Sequence, residues 1–138
     1  MDLVAFRGWL ERYFAAWASN DPDEVAALFA DDAVYSWGPF REPAVGREDI
    51  VRAWVDGGAP PGLETSFEAL AVEGDRGVAH WTVAFRTERD QERSHEQGQE
   101  RSQEQGRTEL DGILLCTFDG DDRCTLHREW YDRRDLSV

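Results

Sequence analysis

The hydrophobic period of this chain changes once, at the segment GGAPPG that begins at Gly57. Before this segment, apolar residues recur every three or four positions, which is typical of amphipathic helices. After it, apolar and polar residues alternate, which is typical of strands with one buried face. Helices followed by antiparallel strands predict an α+β fold, in which the helices cover one face of a sheet.

Three helices are predicted before the change of period. The first spans Asp2–Ser19, and its apolar stripe consists of Leu3, Phe6, Leu10, Tyr13, Phe14 and Trp17. The second begins at Asp21, an N-cap residue that is followed by a proline and, three positions on, by Glu24. The third begins after Gly46 and ends at Gly57, because a second glycine and two prolines prevent its continuation.

The end of the second helix is predicted to lie at Asp31-Asp32. Val25, Leu28 and Phe29 fall on one helical face, whereas two aspartates cannot continue that face and are unfavourable at a helix C-terminus. We therefore expect a surface turn at the two aspartates. A short aromatic strand, 33–37, is expected to follow it and to stop at the next glycine and proline.

Four strands are predicted after the change of period, at Glu64–Gly74, Val78–Glu88, Leu110–Phe118 and Cys124–Asp132. Between the second and the third, Arg89–Arg107 contains the tandem repeat ERSHEQGQ and ERSQEQGR, which has no aliphatic or aromatic side chain. Such a segment cannot bury apolar surface, so it is interpreted as a solvated hairpin extension. Residues 1–138 are thus predicted to form a single domain with a low-complexity hairpin insertion at 89–107.

The register of the last two strands was inferred from a two-residue turn at Gly120-Asp121. This turn would pair Leu114 with His127 and would place Cys116 and Cys124 on opposite faces, which argues against a disulfide. Both faces of this strand pair carry apolar residues. One face should therefore meet the helices, and the other should meet a second copy of the chain.

Composition narrows the possible partners and compartments. The net charge of −14 argues against nucleic acid and anionic membranes as partners. All fifteen basic residues are arginine, which either a GC-rich genome or adaptation to high salt would explain. No apolar run is long enough to cross a membrane, and two cysteines without a motif suggest reduced thiols, so a cytoplasmic protein is expected.

Three stretches together resemble the nuclear transport factor 2-like superfamily, and within it the SnoaL-like group. They are RYFAAWASNDPDEVAALFADDAVYSWGPF, GREDIVRAW and the terminal HREWYD, and the resemblance covers nearly the whole chain apart from 89–107. It implies a cone-shaped roll of three helices packed on a curved, mainly antiparallel sheet, with an apolar internal pocket. It also implies a homodimer through the outer face of the sheet.

Comparison with ketosteroid isomerase, a member of this superfamily, argues against that activity here. Tyr13 matches the tyrosine that donates to the oxyanion in that enzyme. The catalytic base of the enzyme falls at Trp37, and its second oxyanion acid falls at Leu114. An indole cannot take a proton from carbon and a leucine cannot donate a hydrogen bond, so this chain is not expected to be a ketosteroid isomerase.

The same comparison assigns the two faces of the sheet. It places Leu114, His127, Glu129 and Tyr131 toward the pocket. The outer face then carries an apolar patch that is a plausible dimer surface, formed by Ile113, Leu115, Leu126 and Trp130.

His127 and Glu129 are two positions apart on one strand, so their side chains share a face and could act as a general acid–base pair, with Tyr13 as hydrogen-bond donor. Burial is expected to bring both pKa values toward neutrality. The structural alternative is that Glu129 pairs with an arginine and that His127 is a satisfied core residue. A cysteine–histidine pair with Cys116 lacks an orienting group.

The pocket wall is predicted to be aromatic and apolar. Its expected members are Trp17, Trp37, Phe40, Trp54, Trp81, Phe85, Leu114 and Tyr131. Arg41 and Glu42 are interpreted as a surface ion pair near the mouth. No metal triad, phosphate loop or nucleophile motif occurs in the sequence, so no cofactor and no metal are expected.

Three functions are compatible with these patterns. The first is cofactor-free proton transfer (isomerisation, cyclisation, dehydration or hydration) on a small apolar or aromatic molecule. The second is a non-catalytic ligand-binding module with the same pocket. The third is a dimerisation domain whose cavity is filled by its own aromatic side chains. An open cavity touching His127 and Glu129 would favour the first, a wholly apolar cavity the second and a filled one the third.

Overall fold

The computed structural model describes residues 1–89 and 104–137. It confirms the α+β fold, with helices first and strands afterwards. The helices are α1 (Leu3–Ser19), α2 (Pro22–Ala26) and α3 (Arg47–Gly57). The strands are β1 (Phe29–Ser36), β2 (Ala44–Val45), β3 (Glu64–Glu73), β4 (Arg76–Arg89), β5 (Glu104–Phe118) and β6 (Cys124–Ser137).

Side-chain caps fix the beginnings of the first two helices. The Asp2 carboxylate accepts a hydrogen bond from the Ala5 amide at 2.8 Å, and the Asp21 carboxylate accepts one from the Asp23 amide at 2.9 Å. Glu24 does not close a capping box, because the Asp21 amide donates to the Ser19 hydroxyl at 3.2 Å, and this hydroxyl donates to the Glu24 carboxylate at 2.6 Å. This bond ties the end of α1 to α2.

The six strands form one mixed sheet in the order β2-β1-β6-β5-β4-β3. Every neighbouring pair is antiparallel except β1 and β6, which run parallel with Tyr35 opposite His127. The first strand of the chain therefore lies beside the last. The helices cover one face of this sheet, where α1 contacts β3 and α3 contacts β1.

The predicted end of the second helix is wrong. The helix ends at Ala26, and Phe29 is already the first residue of β1. Asp31 and Asp32 lie within β1, exposed, where its register with β6 shifts between Phe29 and Val34. This irregularity turns the two aspartates toward water, and Asp31 forms an ion pair with Arg47 at the start of α3.

The predicted register of β5 and β6 is also wrong, by two residues. Leu114 pairs with Glu129 and Cys116 pairs with His127. The connection is longer than a two-residue turn, because the Asp119 carboxylate accepts hydrogen bonds from the amides of Asp121 and Arg123. From Leu126 onward, a shift of two residues leaves the side chains of β6 on their predicted faces.

The two cysteines do not point to opposite faces as expected. A register irregularity after Thr117 turns Cys124 inward, so both Cys116 and Cys124 are buried in the core as free thiols. Each thiol is therefore part of the packing beneath the helices.

The repeat is described only in part. Strand β5 begins at Glu104, so the last four residues of the predicted insertion are strand and pair with the end of β4. The remainder of the insertion, residues 90–103, lies outside the described residues. In the part of the chain that the structure describes, no helix is long and apolar enough to cross a membrane.

Candidate acid–base site

A cavity of about 270 Å³ lies between the helices and the inner face of the sheet. Its volume lies just below the usual range for small-molecule sites, which begins at about 300 Å³. The cavity is lined by Tyr13, Trp17, Tyr35, Trp37, Ala53, Trp54, Gly57, Gly58, Pro60, Trp81, Phe85, Leu110, Glu129 and Tyr131. It is therefore an aromatic chamber with one carboxyl group in its wall.

Eight residues predicted from the sequence lie in this wall: Tyr13, Trp17, Trp37, Trp54, Trp81, Phe85, Glu129 and Tyr131. Three others do not. The Phe40 side chain is fully exposed, because the turn after Gly38 carries the chain outward. Leu114 and His127 are completely or almost completely buried beneath the wall.

Tyr35 is the one wall residue with a polar side chain that the sequence analysis missed; the other unpredicted members are Ala53, Gly57, Gly58, Pro60 and Leu110. It lies on β1, two positions before Trp37, so the two side chains share a face of the strand. Placing Trp37 in the pocket should therefore have placed Tyr35 there as well. Its ring stacks on the ring of His127, with 4.1 Å between the centroids.

Five side chains form a continuous polar chain from the core to the cavity wall. The hydroxyl of Tyr35 donates to Oε1 of Glu129 at 2.6 Å, and it lies 2.6 Å from the hydroxyl of Tyr13. Nε2 of His127 lies 3.4 Å from the Tyr13 hydroxyl, and Nδ1 lies 3.4 Å from the sulfur of Cys116. These groups belong to α1, β1, β5 and β6, so the site requires all four elements.

One arrangement of protons lets every member of this polar chain donate in the same direction. The Cys116 thiol donates to Nδ1 of His127, and Nε2–H donates to the Tyr13 hydroxyl. Tyr13 then donates to Tyr35, and Tyr35 donates to Glu129. A series of bonds aligned in this way is polarised toward its end, which is the carboxylate of Glu129.

Burial gives the carboxyl group of Glu129 a pKa suited to proton transfer. Desolvation raises this pKa to about 7, although the hydrogen bond from Tyr35 and the charge of Arg41 act in the opposite direction. Near pH 7 the group can therefore either accept or give a proton.

Arg41 lies at the edge of the site, with its guanidinium 5.5 Å from the centre of the Tyr131 ring. Within the described residues it forms no ion pair with Glu42.

His127 does not have the pKa expected of a proton-transfer group. Complete burial lowers its pKa to about 3, so the imidazole is neutral at neutral pH. Its Nε2 lies 3.6 Å from Oε1 of Glu129, which is too far for a good hydrogen bond and, with a neutral ring, is not an ion pair. His127 therefore supports the tyrosines from beneath the wall.

The other ionisable members of the polar chain are held in their neutral forms. Burial, and next the negative charge of Glu129, raise the pKa values of Tyr13 and Tyr35 well above 10. Burial likewise raises the pKa of the Cys116 thiol. The phenols are thus hydrogen-bond donors, and the thiol is not a nucleophile.

A larger hollow of about 670 Å³ lies on the other side of the sheet, and its lining is mostly polar and charged. Arginine already neutralises a central acid there, because the side chains of Arg134 and Arg107 bond to Glu109 and lower its pKa. The smaller cavity therefore holds the carboxyl group that is suited to proton transfer.

The fold and the site together define the class of protein. Three N-terminal helices against a curved, mostly antiparallel sheet form the architecture of the nuclear transport factor 2-like superfamily. Within that class, the SnoaL-like domain family matches residues 10–127, so the chain belongs to this family.

Two solved structures are similar to this chain in fold. One is an LEH-like epoxide hydrolase from M. tuberculosis, with 20% identity, a TM-score of 0.66 and coverage of 93% of this chain and 82% of that one. The other is SalBIII, an epoxide hydrolase/cyclase-like enzyme in pyran ring formation in the polyether salinomycin. It has 10% identity, a TM-score of 0.68 and coverage of 91% and 89%. None of the curated protein sequences matches the chain.

Proposed function

We propose that this protein catalyses cofactor-free proton transfer on a small apolar or aromatic molecule, with Glu129 as the group that accepts and returns the proton. The observation that carries this proposal is the position of Glu129 in the wall of an aromatic cavity, where burial raises its pKa to about 7. A carboxyl group with this pKa is well matched to acid–base work at neutral pH.

Tyr35 and Tyr13 take the role that the sequence analysis gave to His127. With Glu129 ionised, both hydroxyls donate toward it. When Glu129 gains a proton, the chain can reverse, so that Glu129 donates to Tyr35 and Tyr35 donates to Tyr13. The Tyr35 hydroxyl can therefore donate to the carboxylate or accept from the carboxyl group, so Glu129 keeps this hydrogen bond in both of its charge states.

Opening of an epoxide, by water or by a hydroxyl of the same substrate, is the reaction we place first. The two similar structures are described as epoxide hydrolase and hydrolase/cyclase-like enzymes. In this reaction the attacking oxygen forms a bond to carbon and gives its proton to Glu129, while the epoxide C–O bond breaks. The released oxygen takes a proton from a tyrosine hydroxyl, and Glu129 restores that proton through the hydrogen-bonded chain.

A non-catalytic ligand-binding module is the second candidate. Among the described residues that line the cavity, Glu129 is the only ionisable side chain apart from the tyrosine phenols. The rest of the lining is apolar or aromatic. Such a wall suits retention of an apolar molecule without chemistry. The cavity is open, so the filled-cavity alternative loses its main support.

The test is turnover of a panel of small epoxides and conjugated ketones, first ranked by the thermal shift that each compound produces. We expect Glu129→Gln to lower kcat by about 100-fold or more, since it removes the base while keeping the shape. Glu42→Gln is the matched control, because Glu42 is an exposed carboxylate in the turn after β1.

Tyr35→Phe should shift the pH midpoint of turnover upward, because it removes a hydrogen bond that lowers the pKa of Glu129.

Unchanged turnover in Glu129→Gln would exclude the proposed base. Thermal shifts without turnover of any compound would favour the binding module.

A further inference from the structure

Trp81 carries a buried hydrogen-bond donor that no group in the described residues accepts. Its side chain on β4 is 2% exposed and forms part of the cavity wall, yet Nε1 has no partner there. By contrast, Nε1 of the equally buried Trp9 donates to the carbonyl of Leu28 at 3.1 Å. A buried indole N–H usually finds an acceptor, and leaving it unpaired is destabilising.

Gly112 holds the indole of Trp81 in this position. On β5 it pairs with Trp81 on one side and with Tyr131 on the other. A side chain at Gly112 would stand 3.0 Å from Cζ2 of Trp81 and 2.5 Å from the carbonyl oxygen of Trp130. Cζ2 is two bonds from Nε1, so the edge of the indole that bears the N–H lies against the glycine.

Two partly buried rings from the same cavity wall lie beside the indole of Trp81. The ring centroids of Trp17 and Tyr131 lie 6.3 Å and 5.8 Å from that of Trp81. Both side chains line the cavity, and neither is fully packed by protein. Access of a ligand oxygen to the buried Nε1 would require a small movement of the wall, and no protein acceptor competes for this N–H within the described residues.

We propose that Trp81 is a specificity-determining residue whose indole N–H donates a hydrogen bond to an oxygen of the ligand. This inference rests on the proposed function of the same cavity and deepens it. The ligand is then an apolar or aromatic ring compound with a carbonyl or ether oxygen. An indole nitrogen donates and does not accept, so it selects an acceptor at this place.

The ligand oxygen at Trp81 is separate from the group on which Glu129 acts. Trp81 lies opposite Gly112 and Glu129 lies opposite Leu114, which places them two strands and two residues apart. From ordinary sheet spacings, their Cα atoms are roughly 12 Å apart. The carbonyl or ether oxygen thus holds one end of the ligand while the carboxyl group meets the other.

The first experiment is NMR of the six indole N–H groups of the wild-type protein. The probes are α-tetralone and tetralin, two compounds of similar shape of which α-tetralone alone has a carbonyl oxygen. We expect both to shift the indole signals of Trp17 and Trp54, and α-tetralone alone to move the Trp81 signal downfield. Equal effects of the two probes on the Trp81 signal would overturn the proposal.

The second experiment measures the affinity ratio of the same two probes. Trp81→Phe should reduce the preference for α-tetralone by about fivefold to tenfold, since a net hydrogen bond contributes about 1 kcal/mol. Trp54→Phe is the matched control, because it also removes an indole from the wall and should leave the ratio unchanged. A ratio that survives in Trp81→Phe would overturn the inference but not the acid–base function. Absence of any response at the indoles to both probes would overturn the inference, whereas the acid–base function stands or falls with the turnover of Glu129→Gln.

Discussion

Glu129 and His127 make opposite contributions to the pH dependence of stability, although they lie side by side. The carboxyl group has a pKa raised to about 7, and the imidazole has a pKa lowered to about 3, each by burial. Each neutral form is therefore favoured by folding, and each charged form is disfavoured.

We expect Glu129 to reduce stability as pH rises. In the unfolded chain a glutamate ionises near its model value of 4.5, but in the folded chain it keeps its proton to about 7. Stability is thus lost progressively between these values, by roughly 3 kcal/mol in total. Glu129→Gln removes this loss, so its unfolding free energy relative to wild type should increase between pH 4 and pH 8, as measured by urea denaturation.

His127 acts in the other direction and provides the internal check. Its stabilising contribution is present above the model value of 6.5 and is lost as pH falls toward about 3. Since both proteins retain His127, its effect cancels in the difference. A difference between Glu129→Gln and wild type that does not vary with pH would show that Glu129 is not buried as described.

The position of a single site residue could be predicted where the residue lay on a known face of a strand and had a side chain that suits the pocket. The alternation along β4 placed Trp81 on an apolar face, the comparison with ketosteroid isomerase placed Glu129 and Tyr131 toward the pocket, and all three line the cavity. The direction of Phe40 depended on a turn whose path the sequence does not fix, and the pKa of His127 depended on complete burial. The sequence shows that His127 and Glu129 share one face of β6. It does not show that Glu129 reaches the cavity and that His127 stays beneath the wall.

At the scale of elements, the packing of α1 on β4 depends on a missing side chain. Gly77 on β4 is buried, and a Cβ atom there would stand 2.7 Å from the ring of Phe6, which is itself completely buried. Any side chain at Gly77 would therefore clash with the ring of Phe6 unless α1 moved.

We expect Gly77→Ala to destabilise the protein by about 1–3 kcal/mol, because the ring of Phe6 and α1 must shift. Gly57→Ala is the matched control. A Cβ atom at Gly57 would meet nothing within 4 Å, so stability should change by less than about 0.5 kcal/mol. The measurement is the denaturation midpoint of each variant in urea. Equal midpoints for the two variants would contradict the described packing.

Elements with strong periodicity were predicted well, and the junction between α2 and β1 was not. Helical spacing of Val25, Leu28 and Phe29 suited a helix, but Phe29 is buried equally well as the first residue of a strand. The parallel pairing of β1 with β6 gives Phe29 a partner far along the chain, at Cys124. Local patterns do not contain that information. The register between β5 and β6 was wrong for a different reason, because the Asp119 carboxylate holds a turn longer than the two-residue turn that was assumed.

At the scale of the whole molecule, the outer face of the sheet carries an exposed apolar patch. Ile113 and Trp130 are cross-strand neighbours and are 37% and 42% exposed, and Leu115 and Leu126 beside them are partly buried. Arg128 lies against Trp130, with its guanidinium 5.5 Å from the ring centre. We propose that a second copy of the chain covers this patch.

We expect the wild-type protein to sediment as a dimer and Ile113→Asp to sediment as a monomer. The control is Leu70→Asp, which changes an exposed leucine on the edge strand β3 and should leave the dimer intact. Because the chain carries a net charge of −14, added salt should strengthen association by screening repulsion. A wild-type monomer at all salt concentrations would exclude this surface as a dimer interface.

The parallel pair of β1 and β6 also bears on how the chain is made. Tyr35 and Glu129 are 94 residues apart in sequence, and β6 lies between β1 and β5 in the sheet. A chain cut short before β6 would contain all three helices but would expose two unpaired strand edges, which are prone to aggregation. It would also lack the carboxyl group to which the tyrosines donate. Strand β6 therefore completes the sheet and the site together, so a chain that ends before this strand would lack both.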